Sequence, residues 1–425
     1  MTGHETQADG ARGPVRLRLV SLLFVTAVLT IDFSPLAVYR YLLLSDVLLL
    51  AALALQWSLL PRTVIYFPKV VMVVFAVYLA SGAVAFARPA EPALGLFTWL
   101  HSAFLMLVYV PAATTLMSLR PDLRRLVAPA ILASACFQGL VVAQAVSGGL
   151  NWTTGMRIAG AFGSIQLWLY AAAAVAALAM LMSGTFTQRL VALLSLVPLA
   201  AAETFMRSRM LWIATFVGCC IFAVLQARRK WLAFAAAGAV LVLLAFGYVV
   251  ELYPAAVQSR ISDALQPSKA SDLVARLAVV NAAVDEIVKS PVVGVGTGQS
   301  PAYFRELPVP PIIVNAHNLI LHATMEAGFF AGVALCLLPL GILALWLQGL
   351  RRVGGVERVR LHWAFAVLTA VYMAAQLTPT LFEHSFFFLV AFLAATSARP
   401  ALVPSEVWPA SGSGTDALPT HASPP

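Results

Sequence analysis

The chain has 425 residues, of which 61% are hydrophobic and only 11% are charged. Soluble domains are about half apolar and about a quarter charged, so this balance excludes a soluble globular enzyme, a disordered chain and a collagen-like rod. The 27 basic and 18 acidic residues leave a formal charge of +9, which in a soluble protein suggests nucleic acid and in an apolar one raises the question of sides of a bilayer.

Residues 1–14 read as a short disordered cytoplasmic arm. From there the apolar residues come in blocks of roughly 20, the length that spans a bilayer core of about 30 Å. The blocks are continuous rather than alternating, which points to helices and not to barrel strands. The reading is an all-α polytopic membrane protein with about twelve transmembrane helices. They lie near 17–31, 41–60, 70–87, 94–119, 126–147, 167–183, 189–206, 210–227, 231–250, 327–349, 361–380 and 385–398. The first block follows Arg12, Arg16 and Arg18 like a signal sequence, but the many later spans favour an uncleaved first helix. The organisation expected is nine spans within 15–250, a large loop at 251–326, three spans within 327–398 and a disordered tail at 399–425.

Lys and Arg in short connections orient such a chain. With the N-terminus inside, Arg16, Arg18, Lys69, Arg120, Arg124, Arg125, Arg189, Arg228, Arg229, Lys230, Arg351 and Arg352 all fall on the cytoplasmic side. Both termini are then cytoplasmic, and the 251–326 loop faces the other side. Asp46 lies inside the second span, where a carboxylate needs a partner; the local sequence does not name it. Cys136, Cys219, Cys220 and Cys336 fall within spans and read as small packing residues.

The basic residues on the outer side run against the topology bias, so each asks for a reason. Arg157 precedes the turn Gly160-Ala161-Phe162-Gly163, which permits close backbone approach to a ligand. Arg207 and Arg209 sit in the hinge between two apolar runs. They suit an anion or headgroup snorkelling, and Glu203 is placed to pair with Arg207. Residues 271–290 form an amphipathic helix. Leu273, Leu277, Val280, Val284 and Ile287 make its apolar stripe, while Asp272, Arg276, Val279, Ala283 and Glu286 lie on another. Ser271 is the expected N-cap, and such a helix suits the membrane surface.

Gly294-Val295-Gly296-Thr297-Gly298 lacks the strand and the Lys-Ser/Thr ending of a phosphate loop. It reads as a turn after the helix that Pro291 ends. Asn315-Ala316-His317-Asn318 opens the next helix. His317 is placed for proton transfer or for a cap, and His322 and Glu326 form an i,i+4 pair beside it. No Asp-x-Asp and no zinc-spaced His pair occurs in the sequence, so neither a metal nor a cofactor is expected.

Together these segments resemble the O-antigen ligase family. The matching patterns are Arg157 with the Phe162-Gly163 turn; Ser208-Arg209 entering a span; Arg276 on a helix ending in Ser290-Pro291-Val292-Val293-Gly294-Val295-Gly296; and His317-Asn318 before Glu326-Ala327-Gly328-Phe329-Phe330-Ala331-Gly332. The stretch Ser164-Ile165-Gln166 departs from the Asn-rich segment usual after that turn. The resemblance implies a membrane glycosyltransferase of the inner membrane, similar to the GT-C class, with its site facing the periplasm. It implies metal-independent, inverting transfer of a polysaccharide from undecaprenyl diphosphate to lipid A–core, with no nucleic acid partner. It makes His317 the base and puts Arg209 and Arg276, with Arg157 and Arg207, on the donor diphosphate, supported by Asn318, His322 and Glu326. Relatives that share the pattern are O-antigen polymerases and O-linked protein oligosaccharyltransferases; a lipid-linked glycan transporter is the remote alternative.

Overall fold

A computed structural model describes residues 6–31, 37–39, 42–59, 65–66, 68–87, 92–147, 167–206, 209–226, 271–306, 316, 318–376 and 384–398. The described chain is helical except for a small antiparallel ladder, β1 (Ala37–Tyr39) with β2 (Leu42–Leu43), just before the second helix. The all-α class expected from the sequence holds, with this one short ladder beside the helices.

The helices are α1 (Thr6–Leu29), α2 (Leu44–Leu59), α3 (Lys69–Val84), α4 (Pro92–Ala103), α5 (Val110–Leu119), α6 (Pro121–Ser147), α7 (Leu167–Ser183), α8 (Phe186–Met206) and α9 (Arg209–Leu225). They continue with α10 (Ser271–Lys289), α11 (Ser300–Arg305), α12 (Leu319–Ala327), α13 (Phe329–Leu350), α14 (Gly355–Ala375) and α15 (His384–Ser397). Helix lies within each expected span except 231–250, which lies outside the described residues. Pro92–Leu119 and Phe329–Leu350 are each long and apolar enough to cross a membrane unaided.

Two boundaries differ from expectation. The first helix starts at Thr6, so residues 6–14 are helical rather than a disordered arm. Good helix formers such as Gln7, Ala8, Ala11 and Arg12 outweigh Gly10 and Gly13 there. Between α4 and α5 the chain widens into a π-helical turn, Phe104–Tyr109, immediately before Pro111. Proline has no N–H and crowds the carbonyl four residues back, so the preceding turn opens.

In lipid there is little hydrophobic force between helices; close packing and internal hydrogen bonds hold a bundle. α15 stands at its centre, and all of its residues are buried. It is apolar around its whole circumference, as such a position requires. Its rings meet three other helices. Phe388 lies 6.0 Å from Phe24 of α1 and Phe387 5.7 Å from Phe75 of α3. Phe392 lies 5.3 Å from Trp363 of α14. Around it α3 packs on α13, α6 on α7 and α8, and α9 on α7 and α14. By contrast, α8 turns Leu190, Leu193, Leu194 and Val197 outward, a lipid-facing row.

The two ends of the bundle differ in charge. One carries Arg120, which donates to Asp122 at 2.9 and 2.6 Å and to Ser21 Oγ at 3.1 Å. There Arg352 donates to the Ser397 carbonyl at 2.8 Å and Arg124 to that of Ala395 at 3.3 Å. Both caps place positive charge at the C-terminus of α15, the favourable sign for its dipole. Arg360 pairs with Glu357 in the same cluster. Burial acts to raise the Asp122 pKa, but the hydrogen bonds and charge of Arg120 outweigh it and hold the carboxyl below its ordinary value. The opposite end carries Asp46, Ser81, Glu203, Gln376 and His384, and the candidate site.

Candidate active site

The site end is capped by α12, and Asn318 starts it. Its backbone is extended, and its side-chain oxygen accepts the Leu321 N–H at 2.9 Å, satisfying one of the unpaired amides of a helix start. The same side chain donates through Nδ2 to the Gln376 carbonyl at 3.0 Å, at the end of α14. At the other end of α12, Ser81 Oγ of α3 donates to the Ala327 carbonyl at 2.5 Å. α12 is therefore tied by its two ends to two different bundle helices at the same end of the bundle, so it lies across that end.

α10 packs against α12. Val279 and Ala283 are fully buried with Phe304, Ala316 and Met325 in a small core of their own. Arg276 is one turn before Val279 and seven residues before Ala283, so it shares their face and points to the same seam. The expected apolar stripe is thus only partly the packed one, with Ile287 against this small core. Leu277 and Val284 are exposed, while the stripe of Arg276, Val279 and Ala283 faces inward. Small residues there let α10 come close to α12, and this outweighs side-chain hydropathy. Ser271, expected as the cap, is the first helical residue.

The glycine turn explains Glu326. The N–H groups of Gly298 and Ser300 each donate to the Glu326 carboxylate, on Oε2 and Oε1, at 3.1 Å. The backbone of the turn also pairs with α12. Val295 N–H donates to the Met325 carbonyl at 2.8 Å and Gly296 N–H to that of Glu326 at 3.0 Å. This is the geometry that cradles an anion, and the anion is the chain's own carboxylate. The turn binds α12 and has no room to act as a phosphate loop. Gly294 and Gly328 both have positive φ, and a side chain at either would collide with a backbone carbonyl, of Met325 and of Val292 respectively. His322 Nε2 lies 3.7 Å from Glu326 Oε1, the pair expected from the sequence. Tyr303 Oη donates to the Ala282 carbonyl at 3.2 Å. Burial, then the charges of Glu286 and Asp285, push its phenol above the ordinary value and keep it a donor.

His317, Arg157 and Arg207 lie outside the described residues, and for Arg209 the structure describes the backbone alone, as the first residue of α9. The residues on either side of His317 are held on both sides, Ala316 in the small core and Asn318 by its two side-chain bonds. The Glu203–Arg207 pairing suggested by spacing lies outside the described residues. Glu203 accepts from Thr215 Oγ1 at 2.8 Å, and its carbonyl accepts from Trp212 Nε1 at 3.0 Å. Both bonds clasp the end of α8 to the start of α9, across the hinge that carries the two arginines.

Residues 194–336 match the family model described as O-antigen ligase. This region of the chain is similar to the O-antigen ligase family. The match covers about a third of the chain and contains Arg207, Arg209, Arg276, His317, Asn318, His322 and Glu326; Arg157 lies outside it. No curated protein matches the chain significantly. Family members are membrane glycosyltransferase-like enzymes, ligases and polymerases, in keeping with the apolar helices here.

The sequence reading missed His384. Its Nε2 lies 3.1 Å from Asp46 Oδ2, which also accepts the Leu43 N–H at 2.8 Å. The His384 ring lies 5.4 Å from that of His101 and 5.7 Å from Tyr109, beside the π-helical turn. Nothing local in the sequence signals this pair. The only hint was a carboxylate and a histidine at the same end of two apolar runs.

Proposed function

We propose that this protein is an O-antigen ligase of the bacterial inner membrane, with about twelve transmembrane helices, a GT-C-like architecture and both termini cytoplasmic. It transfers a polysaccharide from undecaprenyl diphosphate to a sugar hydroxyl of lipid A–core at the periplasmic face. The family match over residues 194–336 carries this reading. The charge of the bundle supports the orientation, with Arg120, Arg124, Arg352 and Arg360 at the end opposite the candidate site.

In this reaction His317 takes the proton of the acceptor hydroxyl as that oxygen attacks the anomeric carbon. The bond from that carbon to the diphosphate oxygen breaks with inversion. The lipid diphosphate leaves with added negative charge, which Arg209 and Arg276 stabilise, with Arg207 and Arg157 contributing to donor binding. Asn318 sets the backbone that carries the base, and Glu326 with His322 holds α12 and the glycine turn together. Guanidinium groups suit a diphosphate through paired hydrogen bonds, and the mechanism needs no divalent metal.

The test is reconstitution with purified lipid-linked glycan and two acceptors, lipid A–core and a second lipid-linked glycan. Transfer to lipid A–core, insensitive to EDTA and abolished in His317→Ala, is the expected result. Elongation of the second glycan instead would identify a polymerase, and full activity of His317→Ala would remove the base assignment.

A further inference from the structure

α10 has three faces. At about 100° per residue, Val279, Ala283 and Arg276 fall together and pack inward, while Ala282, Asp285, Glu286 and Lys289 form a polar side. The remaining sector holds Leu277, Val284 and Val288, which are 53%, 44% and 75% exposed. Branched apolar side chains so open to water on a helix outside the bundle need an occupant.

The surroundings name one. α12 lies across the end of the bundle, and α10 runs beside it, from the Ala316 contact to the turn at Pro291. α10 therefore also runs along the bundle end. Its apolar row covers about 16 Å from Leu277 to Val288. The row then continues into exposed Val292, which sits against the head of α13 through the Phe329 N–H bond to the Pro291 carbonyl at 2.7 Å. There it meets exposed Phe329 and Phe330, which begin the outward face of α13 that runs on through Leu337, Leu340 and Leu347. The stripe on α10 is continuous with the lipid-facing surface of a span.

We infer that α10 is an interfacial helix, with Leu277, Val284 and Val288 seated in the acyl region of the phospholipid leaflet at the site end and the Asp285–Lys289 side facing water. An amphipathic helix in this position lies in the plane of the interface. Arg276 then stands at the boundary between the protein seam and the leaflet.

The test uses the full chain in vesicles of phosphatidylethanolamine and phosphatidylglycerol. Its four cysteines are replaced by alanine, and spin labels are placed at Leu277→Cys, Val284→Cys, Val288→Cys and Asp285→Cys. The first three are expected to lose collisions with a water-soluble nickel chelate while keeping those with oxygen, and the Asp285→Cys label is expected to keep both. Chelate collisions at all four sites would overturn the inference. So would spin–spin broadening at Leu277→Cys and Val288→Cys, which would identify a second copy of the chain as the occupant. A photo-crosslinking residue at position 284 or 288, placed in the otherwise native chain, reads the same contact as phospholipid adducts if the cysteine-free protein fails to fold.

Discussion

Replacing Glu326 with alanine removes the acceptor of two buried amides, those of Gly298 and Ser300, each at 3.1 Å. A buried donor that loses its partner costs about 1–3 kcal/mol. The loss falls on the turn rather than on the whole bundle, because the backbone bonds from Val295 and Gly296 to α12 remain. With about 1.4 kcal/mol for each tenfold, local opening becomes roughly 5–150 times more frequent for each amide released. Hydrogen exchange followed by mass spectrometry in detergent reads this directly as faster exchange in a peptide covering 294–300. Glu326→Gln keeps one acceptor oxygen and is expected to release one amide rather than two. If the alanine variant remains folded and exchange in this peptide is unchanged, the carboxylate does not hold the turn and the account of Glu326 as its resident anion fails.

Gly328→Ala forces a side chain into the Val292 carbonyl at a φ of 84°. It should lower the yield of monodisperse protein on gel filtration far more than Gly354→Ala, where nothing crowds the added carbon. Asp46→Ala leaves the buried His384 and the Leu43 N–H without their acceptor. A loss of about 1–3 kcal/mol should appear as early aggregation on heating in detergent, with Asp46→Asn between it and the parent. The lowered Asp122 carboxyl stabilises the fold above its unfolded pKa of about 3.9, and this contribution disappears as pH falls through the folded value. The side chain is 54% exposed, so the effect stays below about 1 kcal/mol. Thermal stability of Asp122→Asn should converge with that of the parent only at the acid end, and a gap that persists there would refute the assignment.

The helices were legible because a bilayer demands long apolar runs, and these survive in the sequence whatever the helices pack against. The amphipathic helix at 271–289 was legible in the same way, but not the face it packs. Hydropathy ranks Leu277 and Val284 above Ala283, whereas close approach to α12 favours the small residue. Both halves of the Glu326 clasp were visible, as a glycine-rich turn and as a carboxylate on the next helix. Their connection was not, because hydrogen bonds to backbone amides leave no side-chain pattern. The Asp46–His384 pair joins the second helix to the last described one, and only the topology of the bundle brings them together. Local signals did mark the residues beside His317, since an Asn at a helix start is a cap by chemistry alone.

The helix at the heart of the bundle is also the last described helix in the chain. A ribosome delivers residues 384–397 only after the described helices that surround them, so those helices are made before the piece that fills the space between them. Arg352 and Arg124 wait at one end of that space for the carbonyls of Ser397 and Ala395, and Asp46 waits at the other for His384. This helix is the keystone of the described bundle, and a chain cut short before residue 384 lacks the piece against which its neighbours close.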